Sequence, residues 1–522
     1  MVNWLKKAIF YEIYPQSFYD SNGDGIGDIP GIIEKLAYIK ELGCNAVWIN
    51  PCFESPFADA GYDITDYYQV APRYGTNEDL RRLFRKAHEM NIHVLLDLVP
   101  GHTSVQHPWF RESMKPEKNM FTDRYVWTDS CMKRMESVRG IAGTLRGISQ
   151  RDGTCGVNCF STQPALNYGF AHIDDPSWQQ PVDAPGPQAT KSELRNIIQF
   201  WLNMGCDGFR VDMAGSLVKN EDESKAETVK IWQEIRRWMN TEFPEAVLVS
   251  EWGKPEIAVK AGFDMDFFLH FGTTHYMDLF RNEERFFDAA GGGNIADFAV
   301  TYEQNAAAVG TEGLMCLPSG NHDMMRLSRT LDPVQMKLAF AFIYSFPGAP
   351  FLYYGDEIGM RYVEGLISVE GGYERTGSRS PMQWDNSTNA GFSSAPPDKL
   401  YVALDPDSCR PDAASQMEQR DSLYNTVKTL ISIRQKHSAL QNCAAIRFLF
   451  AEKNAYPLVY ERYDGSEEIL VILNPSGTVR SCPVPESIDG EIMYQYGGKP
   501  VVENDRLLAA PCSACFIRRG GC

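Results

Sequence analysis

The chain has 522 residues, of which 43% are hydrophobic and 23% charged, a balance typical of globular proteins with cores large enough for roughly two to four domains. Its 68 acidic and 50 basic residues give a formal net charge of −18, so the surface should repel phosphate groups and anionic lipids. We therefore expect neither nucleic acids nor membranes among the partners of this protein.

The first residues contain no long apolar segment of the kind found in signal peptides, and no run of about 18 apolar residues occurs elsewhere. We therefore predict a cytoplasmic protein whose 13 cysteines are reduced. Cys155 and Cys159 could pair or bind a metal, whereas Cys512 and Cys515 form a C-x-x-C motif with no second pair at zinc-like spacing.

Short apolar, β-branched segments alternate with longer amphipathic segments along most of the chain. The predicted strands are 8–14, 46–50, 92–97, 208–212, 246–251, 263–267, 314–317 and 350–354. Helical spacing is present at 31–42, 80–90, 193–204 and 227–239. This alternation predicts an α/β protein with a parallel sheet, and eight strands suit a closed (β/α)8 TIM barrel. A doubly wound sheet is the alternative at this point.

Two stretches interrupt or follow the alternation. Between the third strand and the next helix lie about 90 mostly polar residues, far more than a βα loop needs. We predict a domain inserted in the third βα loop over 104–175, and a barrel formed by 1–103 and 176–439. A helix at 423–437 should close the barrel, and short alternating strands at 458–463, 468–473 and 515–518 predict a C-terminal all-β sandwich domain over 440–522.

Barrel enzymes place their working groups where strands end, so the polar residues at the predicted strand ends are the candidates for catalysis. The fourth strand ends with Arg210 and Asp212, which face the same way because side chains in a strand alternate. The fifth ends with Glu251. The third continues to His102, and the seventh continues to His322 and Asp323. Three carboxylates, one arginine and two histidines should therefore meet at one rim.

This set of groups suits the cleavage of a glycosidic bond with retention of configuration, which needs a nucleophilic carboxylate and a second, protonated carboxyl. Asp212 would attack the anomeric carbon, held ionised by Arg210. Glu251, beside Trp252, would keep its proton and deliver it to the leaving oxygen. Asp323 would bind sugar hydroxyls, and both histidines would donate to hydroxyls of the same sugar. Each residue alone is explained as well by a structural role, and the prediction depends on the combination.

The ordered segments 97–102, 208–212, 251 and 321–323 resemble the motif set of the α-amylase family, glycoside hydrolase family 13. The resemblance covers the barrel, the inserted segment and the β domain, and it implies the three carboxylate roles given above. The chain departs from the family at Gly101, where many members have an asparagine that binds calcium in the amylases. That calcium site is therefore not expected here.

Further matches are similar to the exo-acting branch of the family, which contains α-glucosidases, oligo-1,6-glucosidases and trehalose synthases. Tyr62 matches the tyrosine that stacks on the sugar at the cleavage subsite. Asp59 and Arg375 match an acid–arginine pair that closes the pocket beyond one glucose. The resemblance implies an exo-acting retaining α-glucosidase acting on small α-glucosides. Met213, after the nucleophile, fits neither the valine associated with α-1,6 linkages nor the threonine associated with α-1,4 linkages.

An early loop places oxygen donors at alternate positions, with glycines between them, as an EF-hand loop does. The predicted ligands of a structural Ca²⁺ are Asp20, Asn22, Asp24, the backbone carbonyl of Ile26, and Asp28. Hard oxygen donors without sulfur or imidazole favour Ca²⁺ over zinc. The same loop resembles the calcium loop of oligo-1,6-glucosidases, and a metal-free turn is the alternative.

Two other functions remain open. The first is a glucosyltransferase or isomerase of the same family, trehalose synthase-like or sucrose-active, which would use the same covalent intermediate. The second is an inactive family member that serves as a binding subunit, which would lack the carboxylates and carry a membrane anchor. Asp212, Glu251 and Asp323 are all present, which favours an enzyme. The sequence predicts neither the linkage preference nor the oligomeric state.

Overall fold

The computed structural model describes residues 1–268, 274–485 and 488–519. Eight parallel strands form a closed barrel in which the first strand pairs with both the second and the eighth. In chain order the barrel strands are Phe10–Ile13, Ala46–Ile49, His93–Leu98, Gly208–Val211, Val247–Ser250, Met265–Phe267, Leu314–Pro318 and Ala349–Tyr353. The predicted TIM barrel is therefore confirmed, and the doubly wound alternative is wrong.

Helices pack around the barrel because their apolar faces are buried against the outward-facing side chains of the strands. The helices that follow barrel strands are Ile29–Leu42, Asn77–Glu89, Pro185–Met204, Ala226–Glu242, Pro255–Ala261, Met277–Phe280, Ala296–Val309, Pro333–Ser345 and Leu423–Lys436, and two short helices are Pro108–Ser113 and Ala413–Glu418. The barrel interior is filled by large side chains such as Phe10, Trp48 and Phe351. The barrel is thus a packed core, and only its rim is free for chemistry.

The long third βα segment forms a small substructure beside the rim. It contains one antiparallel hairpin, Gly143–Arg146 with Thr154–Val157, and a separate apolar cluster that includes Met135 and Phe170. The boundaries 104 and 175 remain predictions. A second hairpin, Phe53–Glu54 with Asp66–Val70, follows the second barrel strand and carries Asp59 and Tyr62 at its tip.

The C-terminal region is all β, as predicted. One antiparallel sheet contains five strands in the order Ala445–Phe450, Leu458–Tyr463, Glu468–Asn474, Ser513–Arg519 and Glu491–Tyr496. A second sheet contains Arg480–Pro483, Arg506–Ala509 and Val501–Glu503. Three of these strands were predicted. Among the strands that were missed, Glu491–Tyr496 and Val501–Glu503 are largely exposed, so they lack the apolar alternation that marks a half-buried strand.

Two sequence-based expectations concern the whole chain. All 12 cysteines in the described part are free thiols, including Cys155, Cys159, Cys512 and Cys515. Over the same residues, no helix combines the length and the apolar character that crossing a bilayer would require. The predicted cytoplasmic location stays a prediction.

Candidate active site

The two predicted catalytic carboxyls lie at neighbouring strand ends and line one cavity of about 460 Å³. Asp212 follows the fourth barrel strand and Glu251 follows the fifth. The Arg210 guanidinium contacts both, with 3.1 Å from Nη1 to Asp212 Oδ1 and 2.9 Å from Nη2 to Glu251 Oε1. Because one guanidinium reaches both carboxyls, they are neighbours in the same site, as the sequence predicted.

Arg210 also contacts a buried aspartate, Asp97, which was not among the predicted site residues. Asp97 Oδ1 accepts from Arg210 Nη1 at 2.9 Å, and its Oδ2 accepts from Trp48 Nε1 at 3.1 Å and from the Tyr62 hydroxyl at 3.0 Å. Burial raises the pKa of Asp97, and Arg210 opposes the shift. The arginine thus has acceptors on two sides and cannot move toward one catalytic carboxyl alone.

The pKa of Asp212 differs from the sequence-based expectation. Burial raises the pKa of Asp212 well above its usual range, the Glu251 carboxylate adds to the shift, and Arg210 opposes it. Arg210 favours the charged form of Asp212, as expected, but burial raises the pKa of Asp212 further than the arginine lowers it. Arg210 alone therefore does not hold Asp212 ionised.

Met213 connects the nucleophile candidate to Glu251. Its backbone is in the left-handed region, with φ 43° and ψ 44°, which residues other than glycine rarely adopt. In this conformation the Met213 N–H donates to Glu251 Oε2 at 3.0 Å. The strained turn therefore holds Glu251 beside the strand end that carries Asp212.

Asp323 is held as an anion by cations on several sides. Arg375 Nη1 lies 2.7 Å and Arg379 Nη2 3.0 Å from Asp323 Oδ1, and His322 Nε2 lies 3.3 Å from Oδ2. Burial alone would raise the pKa of Asp323, but His322, Arg375 and Arg379 hold it well below its usual range. An ionised, fixed carboxylate is suited to accept hydrogen bonds from sugar hydroxyls. Arg379 was not among the predicted site residues.

His322 lies between buried acids and behind the cavity wall. Its Nδ1 is 2.9 Å from Glu12 Oε1, and its Nε2 is 2.8 Å from the Tyr62 hydroxyl. Burial alone would lower the pKa of His322, but Asp323 and Glu12 raise it to about 9. In this arrangement His322 orders Tyr62 and Asp323, and its predicted direct contact with a sugar hydroxyl stays a prediction. Glu12 gave no signal in the sequence beyond being polar within an apolar strand.

His102 lines the cavity and is neutral. Its Nε2 is 3.1 Å from the carbonyl oxygen of Tyr62, and its Nδ1 is 3.2 Å from Asn158 Nδ2. Burial lowers the pKa of His102 to about 3. Tyr62 lines the cavity next to it, as predicted, and its ring stacks on the imidazole of His322 with centroids 5.3 Å apart.

The predicted acid–arginine pair is present at the cavity wall. Arg375 Nη2 lies 3.3 Å from Asp59 Oδ1, and Gln163 Nε2 donates to Asp59 Oδ2 at 2.7 Å. Burial raises the pKa of Asp59, and Arg375 opposes the shift. The loop before Arg375 is anchored by the buried Glu370, which pairs with Arg73 at 2.6 Å. The pair is therefore a fixed part of the cavity wall.

The predicted calcium loop has the backbone turn that such a loop needs. Gly25, its sixth residue, has φ +93°, and the Gly25 N–H donates to Asp20 Oδ2 at 2.8 Å, at the position where an EF-hand loop turns sharply. Asp28 also caps the following helix by accepting from Gly31 N at 2.6 Å. Among the residues that the structure describes, no three acidic, histidine or cysteine side chains are arranged to hold an ion by themselves, so the oxygens of Asn22 and Ile26 would have to contribute.

Several residues of the cavity wall were not predicted as site residues. Those additional residues are Cys159, Phe160, Gln163, Met213, Gly215, Ser216, Lys225, Trp252 and Lys254. Some lie within three residues of a predicted catalytic carboxyl, which was an available signal. Cys159, Phe160 and Gln163 come from the inserted segment, far along the chain from the predicted catalytic carboxyls.

The chain is similar to several known proteins. Residues 12–443 match the family described as alpha amylase, catalytic domain. The trehalose synthase/amylase TreS of Mycolicibacterium smegmatis is 32% identical over 475 residues, which cover 84% of this chain and 77% of that protein. The oligo-1,6-glucosidase of Parageobacillus thermoglucosidasius is 30% identical over 547 residues, 93% of this chain and 92% of that protein. A mutant of the trehalulose synthase MutB aligns with a TM-score of 0.82 and 26% identity over 99% of both chains.

Proposed function

The chain belongs to the α-amylase family, and from this premise we propose that it is an exo-acting retaining α-glucosidase that releases terminal glucose from short α-glucosides. The observation that carries the proposal is the pair Asp212 and Glu251, which share the Arg210 guanidinium at the wall of one cavity. The Asp59–Arg375 pair in the same wall supports exo action, because a charged pair at this position would limit the space beyond a single sugar.

The chemistry would proceed in two displacements. Asp212 attacks the anomeric carbon while Glu251 donates a proton to the glycosidic oxygen, which breaks the bond and leaves glucose as an ester of Asp212. Glu251 then removes a proton from water, and the resulting hydroxide displaces Asp212 and releases α-glucose. For the first step Asp212 must be ionised and Glu251 protonated. Asp323, held ionised, would bind hydroxyls of the same sugar and favour the flattened ring of the transition state.

A second candidate is transfer of the glucosyl group to a sugar, by transglycosylation or isomerisation. It is favoured by the relatives described as a trehalose synthase/amylase and a trehalulose synthase. The two functions share the first displacement and differ in the group that Glu251 deprotonates in the second. Which acceptor reacts depends on how far the closed site excludes water.

A substrate panel with product identification tests the proposal. Maltose, isomaltose, sucrose and trehalose are incubated separately with the protein, and products are followed by NMR. Glucose released first as the α-anomer supports a retaining hydrolase, and a new disaccharide supports transfer. In the same panel, Asp59→Ala should raise KM for disaccharides about tenfold or more, because a charged contact to the terminal sugar is lost. The control Asp66→Asn lies on the same hairpin but outside the cavity wall. Unchanged KM in Asp59→Ala would contradict the exo proposal.

We also propose that the loop from Asp20 to Asp28 binds a structural Ca²⁺. Removal of the ion with a chelator should lower the thermal midpoint by several degrees, because binding to the folded state alone stabilises it. Added Ca²⁺ should restore the midpoint, and Asp24→Ala should abolish both effects. The measurement is a thermal melt with and without chelator. Identical melts in the wild type would rule the site out.

A further inference from the structure

A buried lysine behind the cavity, Lys219, makes hydrogen bonds to groups near His102. Lys219 has no exposed surface, and its Nζ donates to Asn158 Oδ1 at 3.0 Å and to the carbonyl of Ser216 at 2.6 Å. We propose that Lys219 is a positioning residue that fixes, through Asn158, the tautomer of the imidazole of His102. The proposed function does not include Lys219, and the catalytic consequence of this inference rests on that function.

The polarity of the hydrogen bonds gives the first step of the argument. A lysine side chain donates to these acceptors, so the Asn158 amide must present Oδ1 to Lys219 and Nδ2 to the opposite side. On that side Nδ2 lies 3.2 Å from His102 Nδ1. Because Nδ2 can only donate, His102 Nδ1 must accept and carries no hydrogen.

The second step concerns the other ring nitrogen. A neutral imidazole has one N–H, and with Nδ1 unprotonated the hydrogen is on Nε2. His102 Nε2 faces the carbonyl oxygen of Tyr62 at 3.1 Å, an atom that can only accept. Lys219 therefore donates to Asn158, Asn158 donates to His102, and His102 donates to the carbonyl of Tyr62. If the Asn158 amide or the His102 tautomer were reversed, two donors or two acceptors would face each other.

The third step explains why Asn158 can reach this position. Asn158 lies in the inserted segment, directly after the strand Thr154–Val157. A Cβ on Gly101 would lie 2.6 Å from Asn158 Nδ2, closer than such contacts occur. The glycine before His102 thus leaves the space that the amide fills. The departure from the family motif at Gly101 and the presence of Asn158 belong to one arrangement.

The same groups also support the turn after the nucleophile candidate. The Ser216 hydroxyl donates to the carbonyl of Met213 at 2.8 Å, and Asn158 Nδ2 lies 3.4 Å from that hydroxyl. Burial lowers the pKa of Lys219 to about 7, Lys225 adds to the shift and Glu221 opposes it. Burying an amine costs free energy unless its N–H groups make hydrogen bonds. Here they bind Asn158 of the inserted segment and the carbonyl of Ser216.

A purely structural role would explain the burial equally well, because Lys219 also connects the barrel to the inserted segment. The backbone N–H of Lys219 donates to Gly169 O at 2.9 Å, and the Ala171 N–H donates to Lys219 O at 3.0 Å. These backbone bonds do not depend on the lysine side chain. The test must therefore change the polarity at Asn158 while its shape and these bonds are kept.

Asn158→Asp is the decisive variant. The carboxylate has the size of the amide and keeps a partner in Lys219, but it can only accept, so His102 Nδ1 must carry a hydrogen. Because Nε2 still faces the carbonyl of Tyr62, the ring then carries a hydrogen on both nitrogens. We expect ¹⁵N spectra of histidine-labelled protein to show a His102 proton on Nε2 alone in the wild type and protons on both Nδ1 and Nε2 in the variant. The His102→Gln protein identifies the signals. We also expect kcat/KM to fall about tenfold or more, with a thermal midpoint near that of the wild type.

Two further variants complete the experiment. Lys219→Met keeps the aliphatic stem without the donor and should give a mixture of both His102 tautomers. If that protein does not fold, Asn158→Asp decides alone. Lys230→Met, on an exposed lysine, should change neither readout.

An Asn158→Asp protein in which His102 Nδ1 carries no hydrogen would overturn the inference, whatever its activity. The spectra need no turnover, so they test Lys219 even if the substrate panel shows no glucosidase activity, in which case only the proposed function fails.

Discussion

Asp212→Ala should lower kcat on any cleaved α-glucoside by roughly 10⁴- to 10⁶-fold, because no covalent intermediate can form without the carboxylate. The thermal midpoint should stay close to that of the wild type. Burial and Glu251 already disfavour the charged form of Asp212, and Arg210 retains Asp97 and Glu251 as partners. Steady-state kinetics and a thermal melt of the same preparation measure both expectations.

The matched control lies at the other end of the same strand. Asp207 accepts from His88 at 2.8 Å, from His93 at 3.1 Å and from the Val94 N–H at 2.7 Å, at the barrel end opposite to the cavity. Asp207→Asn should lower the thermal midpoint and leave kcat unchanged, the opposite of the result for Asp212. Wild-type turnover in Asp212→Ala would exclude the nucleophile role.

The barrel was predictable because its signals are local. Each strand is a short apolar segment bounded by polar residues, and the amphipathic helices between strands have a different period, so both are visible within windows of about ten residues. Predicted and observed bounds of the barrel strands therefore differ by only a few residues. The strands of the C-terminal region that lie exposed, such as Val501–Glu503, lack this signal and were not predicted.

The catalytic carboxyls were predictable for a related reason. Asp212 and Glu251 directly follow strands, and in a parallel barrel all strand ends of one kind meet at one rim. Sequence reasoning could thus infer proximity without knowing a distance. The raised pKa of Asp212 could not be inferred in this way, because it depends on how deeply the side chain is buried and on its distances to Glu251 and Arg210, which exist only in the folded chain.

The supporting residues were beyond the reach of sequence patterns. Glu12, Asn158, Lys219 and Glu370 lie far apart in the chain and have no common motif, yet each is buried. Glu12, Asn158 and Lys219 contact residues of the site, and Glu370 anchors the loop before Arg375. Lys219 follows two apolar residues and would be expected at the surface. Its role follows from one hydrogen bond to a residue 61 positions earlier. Long-range contacts of single polar side chains leave no periodic signal.

Glu251→Ala should lower kcat/KM for disaccharides roughly 10²- to 10⁴-fold, because the leaving sugar then departs without a proton. α-Glucosyl fluoride needs no such proton, so the first displacement should remain fast and the covalent intermediate should accumulate. Burst kinetics with this substrate measure the effect. The control Glu245→Gln changes an exposed glutamate just before the same strand and should behave as the wild type. Equal losses on both substrates would contradict the acid/base role.

Azide distinguishes the two carboxyls by the configuration of its product. In Glu251→Ala, azide takes the place of water on the α face of the covalent intermediate and should yield α-glucosyl azide. In Asp212→Ala, azide enters the space of the missing nucleophile on the β face and should yield β-glucosyl azide. Because Arg210 contacts both carboxyls at similar distances, their geometry in the ligand-free site does not rank them. The face on which azide reacts in each variant does distinguish the two carboxyls. Products of the opposite configurations would mean that Asp212 and Glu251 have the reverse of the proposed roles.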